Sequence, residues 1–216
     1  MADLAFPAIE RAALSNGIPV ALARRTAVPK VIVSLAFDAG YAADALDKPG
    51  TQSLMLEMLD EGTTSSTVTR NATEIAEAQE RLGASIATGG SLDTSSITLS
   101  ALSANLAPSL DLMADIARRP TFADSEVARV RDQQLAELSQ TLSTPRALAT
   151  RELSKVLFGA HPYGQPGDGL GDAASLASLT TADLRTAHNK WLRPDLARIT
   201  VTGDITLAEL LPLLEK

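Results

Sequence analysis

The stretch GTQSLMLEMLDEGT, residues 50–63, contains closely spaced side chains that could take part in catalysis. Glu57 and Glu61 are four residues apart, so on a helix they would share one face. Paired carboxylates can act as general acid and base. No nucleophile, metal-ligand set or oriented base accompanies this pair, and Ser53 lacks the G-x-S-x-G turn of a serine hydrolase. An independent hydrolase using Glu57 and Glu61 is therefore the weakest function considered.

Histidine and cysteine chemistry is sparse elsewhere in the chain. The only histidines, His161 and His188, are 27 positions apart and do not form a ligand pair by local spacing. We interpret His161, in HPYG, as a loop-packing residue, and His188, three residues before Trp191, as a surface or packing residue. The absence of cysteine excludes disulfides, thiol nucleophiles and cysteine-based zinc sites.

Composition narrows the class of protein further. The chain has 216 residues, of which 45% are hydrophobic, enough to bury a sizeable core. Its net charge of −7 and lack of a basic run argue against nucleic acid as the main partner. No apolar run approaches the ~18 residues that a membrane span needs. The N-terminus lacks the charged and apolar regions of a signal peptide.

The first half of the sequence predicts strands around one buried helix. Asn16-Gly17 predicts a hairpin with positive φ angles in its turn, and the apolar run at 31–37 predicts a central strand. Residues 51–61 are apolar nearly all round, which is typical of a buried helix. A second helix is predicted from about Asn71 to Leu82, and 84–102 reads as two strands with an alternating, half-buried pattern.

The second half predicts mainly helices. One ends before Pro120, the next begins at a cap on Asp124 or Ser125 and runs to about Leu142, and later ones cover 145–158, the stretch after Thr180 or Thr181, and 206–216. Residues 160–172 form a Gly/Pro loop, and ARITVTGDI predicts a returning strand. Early strands, a helical middle and a returning strand predict an α+β fold, a mostly antiparallel sheet covered by helices in one domain, 1–216.

Several stretches in order resemble the pitrilysin/insulinase-type (M16) zinc metallopeptidase family, which includes the mitochondrial processing peptidases. They are LSNGIPVALARR, VSLAFDAGYAAD, ERLGASIATGGSLDTSSITLSAL and HPYGQPGDGLGDAASLASLTTADLRTAHNKWLRPDLARITVTGDI, and the resemblance extends over residues 10–207. The resemblance implies the metalloprotease-like fold that LuxS and the mitochondrial processing peptidases share.

Active members of this family carry an inverted zinc motif, H-x-x-E-H, on a helix framed like residues 50–63. On that frame Ser53 stands at the first histidine, Leu56 at the glutamate and Glu57 at the second histidine. Serine is a poor zinc ligand, and leucine cannot act as a general base. The family's third ligand is a glutamate on a later helix, where Glu137 and Ala136 compete for the position. We therefore expect no catalytic residue and no metal site in this chain.

The resemblance implies a place for such a domain, because the family's enzymes pair a catalytic half with a half whose motif has degenerated. We expect this chain to be a fragment of a larger multi-domain protein, whose partner is a catalytic domain with an intact H-x-x-E-H. That partner, in the same polypeptide or a neighbouring subunit, would hold the zinc, and a peptide substrate would lie in the shared cavity. Bacterial relatives of this type are often periplasmic, which predicts that compartment for the full-length protein.

A second hypothesis is a structural or assembly module of the same fold, like the core subunits of the respiratory bc1 complex, with no link to proteolysis. Both hypotheses predict that the chain alone hydrolyses nothing. They differ in whether the partner carries an intact zinc motif. The residues that would contact a substrate are not predicted by either.

Overall fold

A six-stranded sheet is the centre of the computed structural model, which describes residues 8–65 and 68–216. The strands are β1 (Ile9–Ala13), β2 (Pro19–Arg24), β3 (Lys30–Phe37), β4 (Gly62–Thr64), β5 (Thr69–Asn71), β6 (Ser85–Gly90), β7 (Ser95–Leu102) and β8 (Ala197–Gly203). The large sheet has the order β1-β2-β8-β3-β7-β6, and β4 pairs with β5 in a separate hairpin. Every pair in the large sheet is antiparallel except β2 with β8.

Helices cover one face of this sheet. They are α1 (Thr51–Glu57), α2 (Ala72–Leu82), α3 (Leu106–Arg118), α4 (Asp124–Ser143), α5 (Pro145–Phe158), α6 (Ala173–Ser178), α7 (Thr181–Trp191) and α8 (Leu207–Leu214). Helix α1 packs against β6 and α7, and α3 packs against β7. The predicted mostly antiparallel sheet covered by helices is confirmed.

The strand patterns explain why only one face is covered. Along β7 the residues Ile97, Leu99 and Ala101 are buried and alternate with half-buried serine and threonine. Strand β8 alternates in the same way. Because successive side chains of a strand point to opposite faces, the apolar set lies under the helices and the polar set lies on the other face.

Helix α1 lies in the core, as its composition predicts. Leu54, Met55, Met58 and Leu59 are each at most 1% exposed. The helix is shorter than predicted, however, because it ends at Glu57 rather than near residue 61. The chain leaves the helix to form β4, where the Thr63 hydroxyl donates to the Asp115 carbonyl at 2.8 Å.

Two other local predictions are corrected, and two short elements were missed. Asn16 does not take a positive φ, because the turn is longer than two residues and only Gly17, at φ 89°, needs one. The N-cap of α4 is Ala123, and Asp124 is the first helical residue, its carboxylate accepting a bond from Thr181. The β4–β5 hairpin and α6 were not predicted, since both are too short to show a period.

Candidate functional site

The start of α1 is held by a buried carboxylate. Asp44 accepts backbone N–H bonds from Gly50 at 2.8 Å and from Gln52 at 2.9 Å, and Gly50 turns the chain with φ 95°. Burial raises the pKa of Asp44 to about 7, although the backbone donors act in the opposite direction. These bonds fix the direction of α1, and with it the face that carries the predicted motif positions.

Ser53, Leu56 and Glu57 share that face, because they are three and four residues apart on the helix. Ser53 and Leu56 are buried, and a Leu56 methyl group lies beside Gly90 of β6. Glu57 is exposed. Leu56 is therefore a packing residue at the position where the resemblance predicts a general base in active members of the family.

Glu57 and Glu137 are brought near each other across α1 and α4. The pKa of Glu57 is raised, first because protein atoms crowd this exposed group and partly desolvate it, and then because Glu137, Asp60 and Glu61 add negative charge. Of the two α4 residues that compete for the third ligand position, only Glu137 acts electrostatically on Glu57. The structure thus places two carboxylates at this surface.

Glu61 does not belong to the same helix face. Because α1 ends at Glu57, the predicted Glu57–Glu61 helical pair does not form, and this part of the hydrolase hypothesis is wrong. Glu61 instead makes an ion pair with Arg129 of α4. This ion pair links the chain just after α1 to helix α4.

Tyr41 is the residue at this site that the sequence interpretation missed. It lies in a short 3-10 helix, Tyr41–Ala43, with its ring against Gly90 and Gly169. Burial raises the pKa of its phenol, the negative charge of Glu57 raises that pKa further, and the Gly90 backbone and the Ser53 side chain lower it. The only signal in the sequence was a lone large side chain among small ones, in DAGYAAD.

The zinc that the resemblance implies does not fit the side chains at this face. The three motif positions offer a hydroxyl, a hydrocarbon and one carboxylate, whereas zinc sites in proteins use imidazole, thiolate and carboxylate ligands in sets of three or four. Over residues 8–65 and 68–216, no three His, Asp or Glu side chains are grouped so that they could hold a metal ion.

Both histidines make packing contacts. His188 Nε2 lies 2.9 Å from the Ala117 carbonyl, and its ring meets Phe122 edge-on at 5.7 Å. His161 Nδ1 accepts the backbone N–H of Tyr163 at 3.1 Å. These contacts fit the packing roles expected for both residues.

Comparison with known sequences identifies the family. Residues 19–167 match the family described as insulinase, peptidase family M16. This range is more than half of the chain. The chain belongs to the M16 peptidase family.

Two curated relatives illustrate which known proteins this M16 chain is similar to in sequence. It is 26% identical over 198 residues to the uncharacterized zinc protease YmxG of Bacillus subtilis, covering 92% of this chain and 47% of the relative. It is 23% identical over 210 residues to subunit 1 of the bovine mitochondrial cytochrome b-c1 complex, a match that covers 97% of this chain and 42% of the bovine subunit. The chain thus spans about half the length of the curated relatives it matches.

Solved structures share the fold of this chain. A Pseudomonas fluorescens crystal structure, described as a peptidase M16 inactive domain, superposes with a TM-score of 0.90 at 30% identity and covers 96% of this chain and 49% of that one. The periplasmic protease PqqL of Escherichia coli superposes with a TM-score of 0.84 at 19% identity, and the match covers 96% of this chain and 24% of PqqL. Within the residues described, no helix combines the length and apolar character needed to cross a membrane.

Proposed function

We propose that this chain supplies the non-catalytic domain of an M16-type zinc metallopeptidase. The observation that carries the proposal is the α1 face, which presents a serine, a buried leucine and a single glutamate where the resemblance places the family's zinc motif. With no general base and no ligand set there, the chain by itself would not activate a water molecule.

The proposed role is to wall the proteolytic chamber and to support a catalytic half that holds the zinc. The peptide substrate would lie in the cavity between the two. Two similarities support this role: a 30% identical relative is described as an M16 inactive domain, and the relative from Bacillus subtilis is named a zinc protease. The catalytic half would be in the same polypeptide or in a neighbouring subunit.

The proposal extends to domain organisation and compartment. Residues 1–216 would form one M16 domain within a longer protein, consistent with matches that cover about half of the relatives. The full-length protein would be periplasmic, a proposal supported by the similar fold of the periplasmic protease PqqL.

Metal analysis of the purified wild-type chain tests the central claim. After exhaustive dialysis and a measured re-addition of Zn²⁺, we expect less than stoichiometric zinc by mass spectrometry and no cleavage of unstructured peptides. The Glu57→Gln/Glu137→Gln variant is the matched control, since it removes both carboxylates from the site. Stoichiometric zinc in the wild type that is lost in this control, together with peptide cleavage, would contradict the proposal.

The identity of the partner separates this function from its alternative. The similarity to the bovine bc1 subunit supports an assembly module with no link to proteolysis. If the partner recovered by affinity capture from the native host carries an intact H-x-x-E-H, the peptidase function is supported. If that partner is a subunit without the motif, the assembly function is supported instead.

A further inference from the structure

The Tyr41 ring is enclosed between two glycines. A Cβ atom added to Gly90 would lie 2.8 Å from Cε1 of the ring, and one added to Gly169 would lie 2.5 Å from Cζ. Both separations are far shorter than van der Waals contact, so neither position accepts a side chain while the ring is in place. The ring therefore fills the space between β6 and the 160–172 loop.

The backbone of this segment is fixed as closely as the ring. The Tyr41 N–H donates to the Ser91 carbonyl at 2.8 Å, and the Ala42 N–H donates to the Leu92 carbonyl at 2.9 Å. A Cβ atom on Gly40 would lie 2.2 Å from the Ser91 oxygen. Because the segment is bound to the β6–β7 turn, the ring cannot leave its place by a simple shift of the loop.

The Tyr41 ring also lies beside α1, because a Cβ atom on Gly90 would be 3.1 Å from ring Cζ and 3.2 Å from Leu56 Cδ1. Ser53 and Glu57, which the resemblance places at the zinc motif, both influence the pKa of the Tyr41 phenol. Burial raises the pKa of the Tyr41 phenol, and the charge of Glu57 raises it further. The group at this point is thus a neutral phenol, which is a weak ligand for a metal ion.

We propose that Tyr41 occupies the space beside residues 53 and 57 that a metal ion would need, so that restoring the family's ligands on α1 would not by itself create a metal site. The position of the Tyr41 ring is thus a second obstacle to metal binding, separate from the loss of the metal ligands. The ring also joins α1 to β6 and to the 160–172 loop.

The test restores the ligands with and without Tyr41. The Ser53→His/Glu57→His variant offers two imidazoles and the Glu137 carboxylate, and it keeps Leu56 so that no charge is buried. Titration with Co²⁺, followed by visible absorption, and zinc stoichiometry are the readouts. We expect the variant that also carries Tyr41→Ser to bind one ion at least about tenfold more tightly than the variant that keeps Tyr41.

The chain offers a matched control in its other tyrosine, Tyr163. Adding Tyr163→Ser to the two-histidine variant should leave metal binding weak, and Tyr41→Phe should do the same because the ring remains. Glu137→Gln should abolish binding in the Tyr41→Ser variant. Circular dichroism melting confirms that each variant is folded.

Two results would overturn the inference: equal metal affinity with and without Tyr41, or no binding by the folded variant that has both histidines and Tyr41→Ser. Either result would leave the proposed function intact, because that function is tested on the wild-type chain and its partner. Conversely, zinc in the wild-type chain would contradict the proposed function whatever these variants show.

Discussion

Asp44 is a buried carboxyl group that has to cap a helix and stay out of water at the same time. Its two oxygens accept N–H groups at the start of α1, yet burial raises its pKa to about 7 from an ordinary value of 3.8. Between these two values the unfolded chain is ionised at this position while the folded chain keeps a proton. Folding therefore binds a proton in this range, and the contribution of Asp44 to stability falls as pH rises.

The first prediction follows from this sign. The unfolding free energy of the wild type should fall between pH 4 and pH 7 relative to Asp44→Asn, and the difference should level off above the folded pKa. Urea unfolding at several pH values measures it. Asp47→Asn, at an exposed site in the same loop, is the control and should run parallel to the wild type. A wild-type curve parallel to that of Asp44→Asn would show that the raised pKa is wrong.

The fit of Tyr41 against Gly90 gives a second prediction at this scale. Gly90→Ala should destabilise the chain by roughly 1–3 kcal/mol, because its new methyl group meets the Tyr41 ring. Gly89→Ala is the neighbouring control, since nothing lies within 4 Å of a Cβ there. In a Tyr41→Ser background most of the Gly90→Ala cost should disappear. Equal costs for the two alanine variants in chemical unfolding would contradict this packing.

Among the elements, α5 is held to the domain mainly by one buried side chain. Most of its residues are exposed, but Arg151 is buried, bonding Asp168 and the Gly171 carbonyl. The same 160–172 loop packs against Tyr41 through Gly169. Arg151 therefore connects the position of α5 with the loop beside the candidate site.

We expect Arg151→Met to lower the unfolding free energy by about 3 kcal/mol, because it removes the ion-pair partner of the partly buried Asp168 carboxylate. Hydrogen exchange should show faster exchange in α5 and in the 160–172 loop than in the central strands. Arg146→Met, at an exposed position of the same helix, should change neither quantity. Uniformly faster exchange across the sheet would argue against a local role for Arg151.

Sequence reasoning succeeds for elements whose pattern is set by burial alone. The alternation in β7 and the all-round apolar surface of α1 both predicted the observed environment, because each element meets the core directly. Sequence reasoning failed where a contact distant in sequence determines the local structure. The end of α1 is one example, since Thr63 hydrogen-bonds to carbonyl groups at the end of α3. Tyr41 was missed for the same reason, since its two glycine neighbours are far away in sequence.

At the scale of the whole molecule, helix α5 exposes an apolar surface. Leu153, Val156 and Leu157 of α5 are 53%, 79% and 64% exposed, and their spacing places them on one helix face. Contiguous apolar surface of this kind favours association in water. In a longer assembly such a face would be a natural contact for another domain.

The isolated chain should therefore associate at high concentration. Val156→Lys/Leu157→Lys should reduce this association, which sedimentation velocity over a concentration series would measure. Leu46→Lys changes a single exposed leucine outside α5 and should have little effect. If all three proteins sediment as the same monomer at every concentration, the exposed face does not drive association.

The position of β8 also has a consequence for synthesis. This strand, close to the C-terminal end of the sequence, is inserted between β2 and β3, pairing Val20 with Ile199 and Val33 with Val201. On the ribosome, β2 and β3 emerge long before β8, the strand that lies between them, so one edge of each stays unpaired until residues 197–203 are made. Such edges are prone to pair with other chains. A nascent chain of this kind would benefit from chaperones until β8 is made.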